Sequence, residues 1–301
     1  MPKSRLLLAV VVAIGVVVSS GPAFCSDSHA GAFLRMGVGA RALGMGGAFT
    51  AIADDATASY WNPAGLTKIE NIEATFMYSA NMTVDRQLNY FGYAQWLGVG
   101  GLGVSWINAG MGDMEVRDPD DNLHGSEDTG DNAIMLSYGM EMGTLSLGAS
   151  AKFLHQNVMD TQSETGFGLD FGGIFNVSDN VAAGVMIRDV GSHFGDVNVP
   201  INWRFGTGIR ALDGALAIGM DVDKVEDIHD FQIHLGGEYG MEVRPGYHVF
   251  FRTGLNGVED QAFTGGIGIR VPYLQFDYTY MTEKEEVDLG NSHRIEVTAR
   301  F

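Results

Sequence analysis

Several groups of residues in this chain have types and spacings that chemistry could use. Between Gly110 and Asp131 stand eight carboxylates, Asp113, Glu115, Asp118, Asp120, Asp121, Glu127, Asp128 and Asp131. Such a density suits loose binding of Ca²⁺ or Mg²⁺ through oxygen ligands. The alternative is a solvated acidic loop. Asp118, Asp120 and Asn122 open like an EF-hand, but that loop needs Gly at its sixth position and Glu at its twelfth. The chain has Leu123 and Thr129 there, which excludes it. Gly37-Val38-Gly39-Ala40-Arg41-Ala42 imitates a dinucleotide loop, with Asp54 or Asp55 where a ribose-binding acid would fall. No buried strand precedes it, so the imitation fails. His229 and His234 are five apart and fall on opposite faces of a strand, so they cannot share a metal. No serine sits in a G-x-S-x-G setting, and Cys25 is the single cysteine. The expectation is a protein with no catalytic residues, no metal and no cofactor.

What remains is a set of charges with a common orientation. Lys152, Asp170, Arg188, Arg204, Arg210, Asp221, Glu238, Arg252, Arg270 and Asp277 all alternate with apolar neighbours. Alternation at period two marks a strand with one oily and one watery face. Ile295, Val297, Ala299 and Phe301 share one face of the last run, while Arg294, Glu296, Thr298 and Arg300 share the other. Fourteen such segments can be counted, near 72–80, 86–97, 101–109, 132–140, 144–157, 165–176, 181–190, 200–211, 215–224, 229–240, 247–254, 262–271, 272–281 and 291–301. Their connections alternate short and long. Links such as 98–100, 141–143 and 177–180 are tight, whereas 110–131, 158–164, 191–199, 255–261 and 282–290 are long and polar. Tight turns at one rim and surface loops at the other are what a transmembrane antiparallel β-barrel requires. The fold class expected is therefore all-β, with about 14 strands over residues 72–301.

Bilayer chemistry then orients the faces. A charge at the bilayer midplane costs roughly 2–4 kcal/mol, so the ten charges point into the lumen. Both signs occur, which favours a lattice of salt bridges over an ion filter of one sign. Tyr90, Tyr93, Trp96, Trp106, Tyr138, Trp203, Tyr239, Tyr247 and Tyr280 are placed near strand ends, as interfacial girdles would be.

Composition sets outer bounds. The 301 residues include 37 Asp+Glu, 18 Lys+Arg and 46% hydrophobic positions. Disorder needs fewer apolar residues, and a disulfide scaffold needs cysteine pairs. A net charge of −19 excludes a broad nucleic-acid surface. Glycine, at 42 positions, is about twice its usual share of ~7%. Lys3 and Arg5 precede an apolar run from Leu6 to Val18, which is too short to span a bilayer as a helix and reads as a signal peptide over 1–25. A lipidated Cys25 is the weaker alternative, because Phe24 stands where a small residue is expected. Residues 26–71 lack alternation and are rich in Gly and Ala.

The block GVGARALGMGGAFTAIADDATASYWNPAGL, Gly37 to Leu66, resembles the N-terminal signature of the PorV/PorQ family within the FadL-like superfamily of outer-membrane barrels. Asp54-Asp55-Ala56-Thr57 followed by Asn62-Pro63-Ala64-Gly65 is similar to the NPA-bearing segment of long-chain fatty acid transporters. The resemblance implies that residues 26–71 fold into the lumen as a plug, either a gate or a static filling. Arg41, Gly44, Gly46, Gly47, Asp54, Asp55, Asn62 and Pro63 are its candidate functional positions. Ile295, Val297, Ala299 and Phe301 resemble the signal read by the barrel-assembly machinery. Two functions follow from the resemblance, both in the outer membrane of a diderm bacterium. The first is protein secretion or surface attachment of the type IX kind, with exported proteins as partners. The alternative is uptake of hydrophobic small molecules such as long-chain fatty acids. Met82, Met111, Met114, Leu123, Phe194 and Met281 are the apolar candidates at the mouth for that route. Membrane lipid and lipopolysaccharide would surround either.

Overall fold

A computed structural model describes residues 30–81, 86–117, 123–158, 162–226, 228, 230–257, 262–282 and 291–301. The signal-peptide reading of 1–25 lies outside them, as do Met82, Asp118, Asp120, Asp121 and His229.

Among the described residues sixteen strands follow in chain order: β1 Ile72–Asn81, β2 Arg86–Trp96, β3 Gly101–Arg117, β4 Leu123–Met142, β5 Leu145–Val158, β6 Gln162–Ser178, β7 Val181–Val190, β8 His193–Phe194, β9 Val197–Asn198, β10 Asn202–Ala211, β11 Leu216–Val225, β12 Gln232–Arg244, β13 Tyr247–Asn256, β14 Ala262–Arg270, β15 Leu274–Met281 and β16 Ser292–Arg300. Fourteen of them close into an antiparallel barrel in which β16 returns to β1. The pair β8–β9 forms a small hairpin of its own, and β7 joins β10 directly.

Tight turns gather at one rim. Gly98, Gly143, Gly214 and Gly246 take positive φ in them. The barrel's ends meet there too, with the Ile72 N–H donating to the Phe301 carbonyl at 3.2 Å and the reverse bond at 2.9 Å. At the opposite rim two expectations need correction. Residues 110–117 and 123–131 are not a loop: they extend β3 and β4 to 17 and 20 residues, with Glu115 opposite Ser126 and Ala109 opposite Asp131. About 10 residues cross a bilayer, so the excess stands in water. There the sequence, crowded with carboxylates and Gly, carries no period-two signal. Likewise β5 and β6 pair out to Val158 and Gln162.

Every barrel strand presents at least one large apolar side chain outward, among them Phe76, Phe91, Trp106, Leu136, Phe153, Leu169, Ile209, Ile218, Ile233, Phe251, Ile267, Phe276 and Ile295. An unbroken belt of this kind calls for lipid around it. No helix among the described residues is long and apolar enough to cross a membrane. Lumen-facing charges alternate with this belt, and all of the ten but Arg210 and Arg270 are buried. Tyr90 is the exception to the girdle expectation. It is fully buried on the inner face of β2, and its hydroxyl donates to the Ala56 carbonyl at 3.0 Å.

The lumen is filled by residues 30–71. They form a 3₁₀ turn at Ala32–Arg35, helix α1 at Ala40–Gly44, helix α2 at Ala58–Trp61 and a 3₁₀ stretch at Pro63–Lys68. Of residues 37–67, Asp54 alone is not buried. Their backbone lies directly on wall glycines. A Cβ at Gly184 would stand 2.7 Å from the Thr50 carbonyl oxygen, and one at Gly139 would stand 2.5 Å from that of Pro63. Gly101, Gly148, Gly219 and Gly236 are closer still to Leu66, Pro63 and Ala64, Ala48 and Met45. No side chain can be added where backbone meets backbone at such range, and overpacking typically costs about 1–3 kcal/mol. We therefore expect Gly236→Leu to leave a heat-modifiable barrel on electrophoresis but to expose residues 30–71 to protease. Protection equal to the wild type would contradict this contact.

Candidate functional site

The segment is tied to the wall by charge. Arg41, on α1, donates from Nε and Nη2 to Glu238 at 3.0 and 2.9 Å, and from Nη1 to Asp54 at 2.5 Å and Asp55 at 2.9 Å. Arg252 shares Glu238 at 2.6 Å and reaches Asp277 at 2.6 Å. Arg210 holds the other oxygen of Asp54, also at 2.6 Å. One guanidinium thus joins two carboxylates of the segment to one of β12, and Arg252 carries the network on to β15.

Further charge contacts follow around the wall, on β10 and β11 beside Glu238 and on β5 to β7 beyond them. Arg204 donates to Asp221 at 2.9 Å and to the Gly47 carbonyl, while Asp221 accepts from the Thr50 N–H and hydroxyl at 3.0 and 2.7 Å. Lys152 bridges Asp170, at 2.7 Å, and Asp189. Arg188 lies over the rings of Tyr60 and Trp61, 4.3 and 5.5 Å from their centroids. Glu296 accepts from the Ala40 N–H and from the Thr75 hydroxyl.

Asn62 acts by shape. Its extended backbone, with φ −169° ahead of Pro63, ends α2, and its side chain caps the next turn by accepting from Ala64 N–H at 3.1 Å. The amide nitrogen donates to the carbonyls of Thr50 at 2.8 Å and Gly173 at 3.2 Å, anchoring the bend to the wall. Gly46 and Gly47 take positive φ, and Gly46 donates to the Thr264 hydroxyl at 3.1 Å. A Cβ at Gly44 would crowd Thr279 at 2.8 Å.

Burial and charge set the protonation of the segment. Burial works against the Arg41 cation, but Asp54, Glu238 and Asp55 outweigh it and raise its pKa well above the usual value. Burial alone would raise the Asp54 carboxyl; Arg41 and then Arg210 hold it well below the usual carboxylate range. Lys68 is pushed down by burial, with Asp54 offsetting part of the effect.

The lumen has two characters. Leu88 and Tyr90 of β2, Ile107 and Ala109 of β3, Ala133 and Met135 of β4, and Leu154 of β5 line it with buried apolar groups. They are continuous with Phe33, Leu34, Met281 and Phe194. Charges occupy most of the rest. Near the loop rim the β6–β7 ladder shifts register between Leu169 and Phe171, where Asp189 takes φ 62°. Beyond it the β8–β9 hairpin folds inward. Phe194 meets Phe33 at 6.4 Å between centroids, and the Gly195 N–H donates to the Thr165 carbonyl at 3.3 Å. Toward the turn rim lies a cavity of about 660 Å³, walled by Arg41, Asp54, Lys68, Phe250, Arg270 and Arg300 among others.

Comparison with known proteins finds the same architecture. No family model matches the chain, and no curated protein does. Among solved structures it is similar to the toluene transporter TbuX of Ralstonia pickettii, at 13% identity and TM-score 0.63, covering 88% of this chain and 98% of that one. It is similar to the CymD monoaromatic hydrocarbon channel, at 14% and 0.62 over 88% and 98%, and to a Pseudomonas aeruginosa FadL homologue, at 11% and 0.59 over 85% and 96%. The fold is that of these fourteen-stranded barrels. The finer resemblance of residues 37–66 to PorV/PorQ proteins finds no support in these likenesses.

Of the ten charges singled out from sequence, Lys152, Asp170, Arg204, Arg210, Asp221, Glu238, Arg252 and Asp277 form ion pairs, Arg188 lies over Tyr60 and Trp61, and Arg270 bonds to Gln275. Ile295 and Val297 lie on the outer face of β16, and Phe301 closes the ladder at the turn rim. Phe194 and Met281 join the apolar sector, while the side chains of Met111, Met114 and Leu123 lie outside the described residues. Among the described residues no group of three His, Cys, Asp or Glu could hold a metal. Sequence reasoning missed Asp189, Tyr60 and Trp61, whose partners are far away in the chain.

Two measurements test the hub. Arg41→Gln leaves Glu238, Asp54 and Asp55 without their shared cation, and removing one partner from a buried ion pair costs about 3–5 kcal/mol; thermal unfolding in detergent at pH 7 should fall accordingly. Asp54 has a folded pKa below its unfolded value of roughly 3.9, so its stabilisation is present above pH ~4 and fades as pH drops toward the folded value. Asp54→Asn should therefore flatten the fall in unfolding temperature between about pH 5 and 2; an unchanged slope would remove Asp54 from the account.

Proposed function

We propose that the protein is an outer-membrane channel without enzymatic activity that admits hydrophobic small molecules. The observation carrying this reading is the one-sided apolar lining of β2 to β5, continuous with Phe33, Leu34 and Phe194 toward the loop rim. A lumen built only to be filled has no need to segregate its oily and charged walls. The structural neighbours that bear names of hydrocarbon transporters and channels support the same reading. In an outer-membrane barrel the tight turns face the periplasm and the long hairpins face outward, so a molecule meets the Phe33–Phe194 contact first, then the apolar sector, then the segment held by Arg41. Residues 37–67 are the gate on this route, because their hydrogen bonds and ion pairs close the lumen. The C-terminal strand, with Ile295, Val297, Ala299 and Phe301, is the part the assembly machinery would read. A role in protein secretion rests on the resemblance of residues 37–66 and on no structural observation.

Accumulation of labelled alkyl and monoaromatic compounds by cells producing the protein measures the passage. Leu154→Asp puts an unpaired carboxylate into the apolar sector, and each 1.4 kcal/mol is tenfold, so uptake should drop at least about tenfold while the barrel remains heat-modifiable. Uptake by the wild type equal to that of cells lacking the protein would refute the reading.

A further inference from the structure

The cavity at the turn rim has a charge pattern that closing the lumen does not explain. Three of its cations are matched: Arg41 to Glu238, Asp54 and Asp55, Arg210 to Asp54 at 2.6 Å, and Arg300 to Glu73 at 2.5 Å. Two are not. Among the described residues Lys68 and Arg270 lie within ion-pair distance of no carboxylate, although both line the cavity and both are half-buried. Glu70, the remaining acid of the lining, stands exposed at the mouth. A chain of net charge −19 thus keeps two uncommitted cations in a recess.

Arg270 is also aimed. Its Nε donates to Gln275 Oε1 at 2.7 Å, an oxygen that Arg300 shares at 2.9 Å, and its guanidinium lies 4.9 Å from the centre of the Phe250 ring. Gln275 is itself fixed by donating to Asp277 at 2.7 Å. The guanidinium is therefore held over an aromatic face by its Nε bond, with no Nη bond among the described residues, which suits a carboxylate. Ile69 and Phe250 supply apolar surface beside the two cations. At about 660 Å³ the recess falls within the usual size of small-molecule sites, roughly 300–1,000 Å³.

We infer that this periplasm-facing recess binds a small organic carboxylate, with the anion between Lys68 and Arg270 and the apolar body against Phe250 and Ile69. The site stands whether or not hydrophobic molecules traverse the lumen. An inorganic anion would use the cations and leave the apolar surface idle, so the organic acid is the better fit.

The test is calorimetric titration of the full-length protein in detergent at pH 7 with benzoate, benzyl alcohol and inorganic phosphate. Benzoate is expected to bind at one saturable site, about tenfold or more tighter than either of the others. Lys68→Gln and Arg270→Gln should each weaken benzoate by about tenfold or more, as loss of a charged hydrogen bond does. The Lys68 side chain makes no hydrogen bond among the described residues, so its variant is expected to keep the fold, which the mobility shift on heating checks. Benzyl alcohol binding as tightly as benzoate, phosphate binding more tightly, or Lys68→Gln binding benzoate as the wild type does would each overturn the assignment.

Discussion

The structure depends on backbone resting against backbone across the inside of a barrel. A closed fourteen-stranded wall leaves an interior too wide for its own side chains to fill. Here residues 37–67 fill it, and the wall lets them come close by omitting side chains at Gly101, Gly139, Gly148, Gly184, Gly219 and Gly236. The glycine excess is therefore not looseness. It cuts a seat for one particular segment, and the polar backbone so enclosed finds partners in Asp221, Thr264, Thr279 and Glu296.

Charge gives that seat its register. Buried ion pairs are weak sources of net stability, because desolvation consumes most of the attraction. Their geometry is demanding, however, and Arg41 satisfies three carboxylates only when α1, the Asp54-Asp55 turn and β12 are all in place. The same logic holds for Asp221, which takes Arg204 from the wall and Thr50 from the segment. A segment held this way is fixed by specific contacts, each of which requires the others to be in place.

The two-faced strands β2 to β5 explain where sequence patterning blurred. A strand with lipid outside and a polar lumen inside alternates cleanly, as β16 does. Leu88, Tyr90, Ile107, Met135 and Leu154 face inward and are apolar, so both faces of their strands read alike. That is why Tyr90 passed for an interfacial aromatic. At the loop rim the ladder of β3 and β4 continues from Met111–Thr129 to Arg117–Leu123 through register shifts, although the sequence there shows no alternation.

Strand number, barrel closure and the inward direction of Arg204, Arg252, Asp277 and their like were legible because lipid and water impose opposite demands on neighbouring residues. Local chemistry likewise marked Asn62-Pro63 as a bend. Which charges meet was decided by tertiary structure alone, since Arg41 and Glu238 are 197 positions apart and Lys152 and Asp189 meet only through a register shift. The recess of Lys68 and Arg270 belongs to the same class: it exists because strand ends, turns and the segment's exit converge at one rim, and no pattern along the chain encodes that convergence.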